Sequence, residues 1–260
     1  MKNFVLVTGA CINTGVAIVE KFASEGENVV FTGRNACIVS AMEQEYRKKY
    51  PHVQILGMPI DSLDKDGNVD EENVETLFSS LDSRDINITT LVLNAADQGL
   101  GQEFYTSSIS EFQRVLNTNV TWNYCLSKAA ACRMKGNGGG CIIFINSNTA
   151  YRCIPNRVAY STSKGAQLSM MRALALDLGK DGIRVNAVLP GMIKTDRWER
   201  NPEFYQNVPS RYTPLGDVAV GSDIADAVWY FAAHARNTTG AELVVDGGNT
   251  IQLYPLIHAE

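Results

Sequence analysis

Phe4-Val-Leu-Val-Thr8 runs directly into Gly9-Ala-Cys-Ile-Asn-Thr-Gly15, and Val16–Ser24 follows with its apolar residues at helical spacing. A short apolar run, a glycine-rich turn and an amphipathic helix read as strand, turn and helix. Such a turn lets main-chain N–H groups approach a pyrophosphate, with the positive end of the helix behind them. Two glycines in a loop are common, so this reading draws its weight from the rest of the chain.

Outward from that turn the pattern repeats. Val29–Thr32, Val53–Pro59 and Thr90–Leu93 read as further strands, and Val39–Lys49 and Asn73–Leu81 as helices. In the second half, Ser110–Met134 reads as one long helix stopped by Gly136-Asn-Gly-Gly-Gly140. Cys141–Ile145 and Arg184–Val188 read as strands on either side of a second long helix, Arg157–Leu178. A polar and aromatic stretch, Gly191–Val220, precedes a helix at Ser222–Ala233 and a strand at Ala241–Val245. Strands alternating with helices imply right-handed crossovers and a parallel sheet covered on both faces. With no internal repeat or Pro/Ser linker, a single α/β domain over residues 1–260 is expected.

The bulk properties narrow the function. A net charge of −5 argues against a surface built for nucleic acid. No stretch approaches the roughly 18 apolar residues that span a bilayer, and the start carries no secretory leader, so a cytoplasmic protein without membrane partners is expected. Six cysteines without a C-x-x-C pair and three scattered histidines, His52, His234 and His258, suit reduced thiols and no metal site. Asp61–Asn73 is acidic, but Ser62 and Asn73 stand where a calcium loop needs carboxylates, so it reads as a solvated loop.

The end of the second strand, Phe31-Thr-Gly-Arg-Asn35, has no acid to bind the ribose hydroxyls of NAD. Arg34 there suits a 2′-phosphate, which favours NADP(H) over NAD(H). Asp61, closing the third strand, is an adenine contact by position. Further along, Tyr160 and Lys164 stand four apart on one helical face. A phenol with a pKa near 10 is a poor base, and a neighbouring ammonium favours phenolate. Ser147, closing the preceding strand, is positioned to hydrogen-bond an oxygen on which charge develops.

These residues resemble the short-chain dehydrogenase/reductase family, essentially from Val5 to Gly248. The resemblance runs through the TGACINTG turn, Asn94-Ala95-Ala96, Asn119, Ser147, Tyr160-Ser-Thr-Ser-Lys164, Arg184-Val-Asn-Ala-Val-Leu-Pro-Gly191 and Val245-Asp-Gly-Gly248. It implies a doubly wound Rossmann sheet of seven parallel strands with helices on both faces. It also implies an NADP(H)-dependent oxidoreductase that interconverts a ketone and a secondary alcohol. Ser147 would polarise the carbonyl and Tyr160 would be the general acid/base. Lys164 would hold the nicotinamide ribose and tune Tyr160, and Asn119 would anchor a water feeding a proton relay. Cofactor contacts would fall on Gly9, Asn13, Thr14, Gly15, Arg34, Asn35, Asp61, Ser62, Asn94, Ala95, Tyr160, Lys164, Ile193 and Thr195. Members usually form dimers or tetramers through the two long helices, so a homo-oligomer, a dimer or a homotetramer, is expected.

Two positions depart from the family. Asn13 replaces the middle glycine of the first turn, and Leu93-Asn-Ala-Ala96 keeps only part of N-N-A-G. Asparagine is the residue that best substitutes for glycine at positive φ. Cys11, inside the turn, reads as a small filler. By resemblance Met192–Gly216 is a lid, rich in arginine and aromatic residues (Arg197, Trp198, Arg200, Phe204, Tyr205, Arg211, Tyr212), and Tyr151 and Arg152 are further substrate contacts. The substrate stays open among a 3-oxoacyl thioester, a sugar or polyol, a hydroxysteroid and a cyclic ketone. A cofactor-binding sensor without turnover is the alternative reading.

Overall fold

Along Lys2–Val7 (β1), Phe4 and Leu6 pack into one buried cluster while Val5 and Val7 pack into another. Successive strand residues point to opposite faces, so a strand apolar without interruption from Phe4 to Val7 demands cover on both sides. The computed structural model, which describes residues 1–195, 198 and 200–255, provides that cover. Strands β2 (Val29–Gly33), β3 (Ile55–Pro59), β4 (Ile86–Leu93), β5 (Gly140–Ile145), β6 (Ile183–Pro190) and β7 (Glu242–Val245) join β1 in one sheet. Its seven strands run in the order β3-β2-β1-β4-β5-β6-β7, and every pairing is parallel.

Helices α1 (Asn13–Ser24) and α2 (Ala36–Lys49) cover one face through Ile18, Phe22, Val39 and Tyr46. Helices α3 (Glu71–Asp82), α4 (Ile109–Leu116), α5 (Trp122–Gly136) and α6 (Val158–Leu178) follow; Phe78, Leu126, Leu168 and Met171 of this group fill the opposite face. Helix α7 (Gly221–Trp229) returns to the first face, where its Trp229 meets Phe22 edge-on with ring centroids 5.4 Å apart. The chain order reverses between β1 and β4, so the carboxyl ends of those strands open a crevice, the usual ligand position in such sheets.

Several details differ from the sequence reading; the helix expected over 222–233, for one, ends its α-helical winding at Trp229 and closes in a π-helical turn, Tyr230–His234. The stretch over 110–134 is not one α-helix: Asn117–Thr121 forms a π-helical turn between α4 and α5. Strand β4 begins at Ile86, four residues before the expected start, because Asn87 and Thr89 interrupt the apolar pattern without breaking the pairing with β1. The stretch expected to be irregular, Gly191–Val220, contains two short helical turns, Pro202–Tyr205 and Val208–Tyr212. Among the described residues no helix is long and apolar enough to cross a membrane.

Candidate active site

The glycine turn after β1 has the geometry that a dinucleotide pyrophosphate requires. Gly9 sits at φ +60°, and a Cβ there would lie 2.7 Å from the Ala95 Cα. A Cβ on Gly15 would lie 2.6 Å from the Ala10 Cα. Asn13 adopts φ +47°, the left-handed backbone that glycine takes most readily and asparagine tolerates. Asn94 fastens this turn from β4: its Nδ2 donates to the carbonyls of Thr8 and Gly9, both at 3.0 Å. Thr8 answers in the other direction, its Oγ1 accepting from the N–H groups of Asn94 and Ala95, both at 3.1 Å. Asn94 and Ala95 therefore shape the turn from behind. Burial pushes the Cys11 thiol up, against any thiolate role at this helix start.

Asn13, Thr14, Ile193 and Thr195 line one cavity of about 290 Å³ with Val220 and Gly221. Lys194, which sequence reasoning missed, lines it too, an exposed cation beside the turn. The segment is held there by a bridge from Ile193 to Ala219 and by the Lys194 N–H, 2.8 Å from the Ala219 carbonyl. These residues fit a bound dinucleotide: a cradle that a Cβ would fill, a helix N-terminus and a cation meet at the sheet's switch point.

The other expected contacts are more varied. Arg34 is exposed immediately after β2. Asn35 caps α2, its Oδ1 accepting from the Cys37 and Ile38 N–H groups at 3.0 and 3.1 Å. Asp61 is exposed and its carboxylate accepts from the Ser62 N–H at 2.8 Å, while the Ser62 hydroxyl turns inward to Thr118. In the acidic loop beyond, the Asp64 carboxylate closes on the Asp66 and Asn68 N–H groups.

At the carboxyl end of β5, Ser147 is buried and its N–H donates to Asn146 Oδ1 at 2.7 Å. Its hydroxyl reaches the Tyr160 phenol and, with Arg157, favours the ionised form; burial outweighs both and holds the phenol above its ordinary value. Lys164 lies beside that ring, its Nζ 5.5 Å from the centroid. The ammonium donates to the Ile145 carbonyl at 2.9 Å and to Gln167 Oε1 at 3.1 Å. Burial lowers its pKa to about 7. Lys164 is thus turned inward, buried beside the ring on which the Ser147 hydroxyl and Arg157 also act.

Asn119, wholly buried in the π turn, uses every polar atom. Its Oδ1 accepts from the Asp97 N–H at 2.7 Å, and its Nδ2 donates to the Asp97 carbonyl at 2.8 Å and to Ser163 Oγ at 2.9 Å. Ser163 in turn donates to the Tyr160 carbonyl at 2.7 Å. The Asn119 carbonyl accepts from Gln167 Nε2 at 2.6 Å and Asn123 Nδ2 at 2.9 Å. Sequence reasoning missed Asn146 and Gln167. The available signal was a polar side chain three residues beyond Lys164, on the face of α6 that must be buried.

Of the suggested substrate contacts, the Tyr151 hydroxyl is tied to Glu242 and the Arg152 guanidinium to the Gln252 carbonyl. Trp198 and Tyr205 stack at 4.4 Å between centroids, while Arg197 and the Phe204 side chain lie outside the described residues, as does His258. A larger hollow of about 400 Å³ sits toward the amino ends of β5 and β6, lined by Gly139, Gly140 and Arg184. Its guanidinium is already committed to the carbonyls of Phe231, Ala232 and Ala235, whereas the smaller cavity adjoins the glycine turn and is the candidate site.

Comparison with known proteins gives a consistent result. The family described as enoyl-(acyl carrier protein) reductase matches residues 9–250. A 3α-hydroxysteroid dehydrogenase of Mediterraneibacter gnavus is 34% identical over 251 residues, 95% of this chain and 97% of that protein. An NADP-dependent (R)-specific alcohol dehydrogenase of Lentilactobacillus kefiri is 32% identical, covering 95% and 96%. The crystal structure of L-sorbose reductase from Gluconobacter frateurii, complexed with NADPH and L-sorbose, superposes with a TM-score of 0.88 at 25% identity, covering 97% and 98%.

Proposed function

Because the chain belongs to the short-chain dehydrogenase/reductase family, and so is an oxidoreductase acting on CH–OH or carbonyl carbon with a nicotinamide cofactor, we propose that it interconverts a ketone and a secondary alcohol with NADP(H), using Ser147, Tyr160 and Lys164. The observation that carries this reading is the meeting of the Ser147 hydroxyl, the Tyr160 phenol and Lys164, from two separate elements, at the carboxyl edge of the sheet. The nicotinamide, when bound, supplies or accepts the hydride. Gly9, Asn13, Thr14 and Gly15 hold its pyrophosphate, with Lys194 adding charge, and Ile193 and Thr195 orient its carboxamide.

In reduction, Tyr160 gives its proton to the carbonyl oxygen while Ser147 donates a hydrogen bond to the same atom. Burial keeps the phenol protonated at neutral pH, the form this direction needs. Oxidation uses the same groups in reverse, with Tyr160 taking the alcohol proton. Preference for NADP(H) rests on Arg34 and on the missing acid after β2. Asn35, Asp61 and Ser62 act at the adenosine end by position, and Asn119 supports the site through its bonds to Asp97, Ser163 and Gln167. Tyr124 and Leu176 stand exposed on the two long helices, which supports a homo-oligomer, to be checked by sedimentation. A cytoplasmic location fits the same reading.

A panel of 3-oxoacyl thioesters, sugars and polyols, hydroxysteroids and cyclic ketones, followed at the nicotinamide absorbance, tests the reading. Turnover of at least one class is expected. Firm cofactor binding with no turnover on any of them would leave the sensor reading in its place.

A further inference from the structure

Gln167 is 1% exposed on α6. A buried amide costs stability unless its polar atoms are paired, and this one is paired to three parts of the site. Its Oε1 accepts from Lys164 Nζ at 3.1 Å and from Asn146 Nδ2 at 3.2 Å, while its Nε2 donates to the Asn119 carbonyl at 2.6 Å. Asn146 passes the connection on, its Nδ2 also donating to the Lys164 carbonyl and its Oδ1 accepting from the Ser147 N–H. One side chain thus joins the helix carrying Tyr160 and Lys164, the turn carrying Ser147 and the π turn carrying Asn119.

We propose that Gln167 is a positioning residue for the reaction, anchoring the Lys164 ammonium beside Tyr160 by tying it through protein atoms to the Asn119 carbonyl. With Ile145 it occupies two of the three N–H bonds of the ammonium, which leaves the third for the site. This rests on the reading of Tyr160 as acid/base. The surroundings leave Gln167 as the side-chain acceptor that stabilises the charge. From α6, Lys164 faces the Tyr160 ring, with Arg157 acting on the same phenol. The β5 turn presents Asn146 and Ser147, the π turn presents Asn119, and the Asp97 carboxylate beyond them is paired with Arg114. Burial lowers the pKa of Lys164, and an acceptor at hydrogen-bond distance opposes that by stabilising the charged form.

The test titrates Lys164 by NMR of side-chain-labelled lysine in wild type, Gln167→Met and Gln167→Glu. It also measures kcat and KM for the panel ketone that wild type reduces fastest, with NADPH. Gln167→Met, close in size, should lower the Lys164 midpoint by about one pH unit and kcat about tenfold, with KM changed less than about twofold. Gln167→Glu keeps an oxygen facing the ammonium but loses the donor to the Asn119 carbonyl, so the midpoint should rise above wild type while kcat recovers only partly, staying at least about threefold below wild type. A merely structural role would lower the melting temperature of both variants and leave the midpoint unmoved, and that outcome overturns the proposal. The NMR arm does not depend on Tyr160, so normal turnover by Tyr160→Phe would count against the acid/base reading and not against the Gln167–Lys164 bond.

Discussion

At Asn13 the chain needs a left-handed residue, and φ +47° is reached with a side chain that tolerates it. The departure from the family's glycine is thus absorbed in the backbone. Asn13→Gly should leave the melting temperature nearly unchanged, whereas Asn13→Val, β-branched at positive φ, should cost about 1–2 kcal/mol and weaken cofactor binding; thermal melts and NADPH titration read both. Arg34 makes the sharper distinction. Its loss in Arg34→Ala should weaken NADPH binding about tenfold or more and leave NADH binding unaffected, measured by fluorescence titration. Equal loss for both cofactors would remove it from the 2′-phosphate. That Ser147 closes a strand and that Tyr160 and Lys164 share a helix face was legible in the sequence from periodicity, while the roles proposed for them come from the family resemblance. The inward turn of Lys164 was not legible: it depends on Gln167 and the Ile145 carbonyl, which only the fold brings within bonding distance.

Among the elements, the π turn at Asn117–Thr121 was hidden from the sequence for a related reason. Apolar spacing continues through it, so 110–134 reads as one helix. The change in winding goes with bonds of Asn119 to Asp97 and Ser163 and of its carbonyl to Gln167, all distant in sequence. Asn119→Leu should therefore strand the Asp97 N–H in the interior and cost about 2–3 kcal/mol in denaturant unfolding, with turnover falling as well. A variant as stable as wild type would show that the turn does not depend on this side chain. Helices α2 and α3, expected over 39–49 and 73–81, begin three and two residues earlier, at Ala36 and Glu71, where Asn35 and Asp70 cap them; caps are local signals that apolar spacing alone passes over.

Over the whole molecule, alternation of strand and helix implied a parallel sheet covered on both faces, the resemblance implied its seven strands, and the strand order with its crevice came from the structure. The cost of placing an ammonium in that core should appear in stability. Lys164 titrates at about 7 in the folded protein and near 10.4 when unfolded. Between those values the unfolded chain holds the extra proton, so stability rises with pH across this window and the burial cost is fully felt below it. Lys164→Met should melt higher than wild type at about pH 6, by roughly 5 °C, and the gap should narrow toward about pH 9. A gap independent of pH would contradict the buried titration.

The central claim is that a phenol held at the sheet edge moves the proton while the rest of the site holds the cofactor. Tyr160→Phe removes one oxygen and little else, so ketone reduction and NADPH affinity should be measured together in this variant. Turnover is expected to fall by at least about a hundredfold with NADPH affinity within about twofold of wild type. Turnover that survives the loss of that hydroxyl would contradict the account.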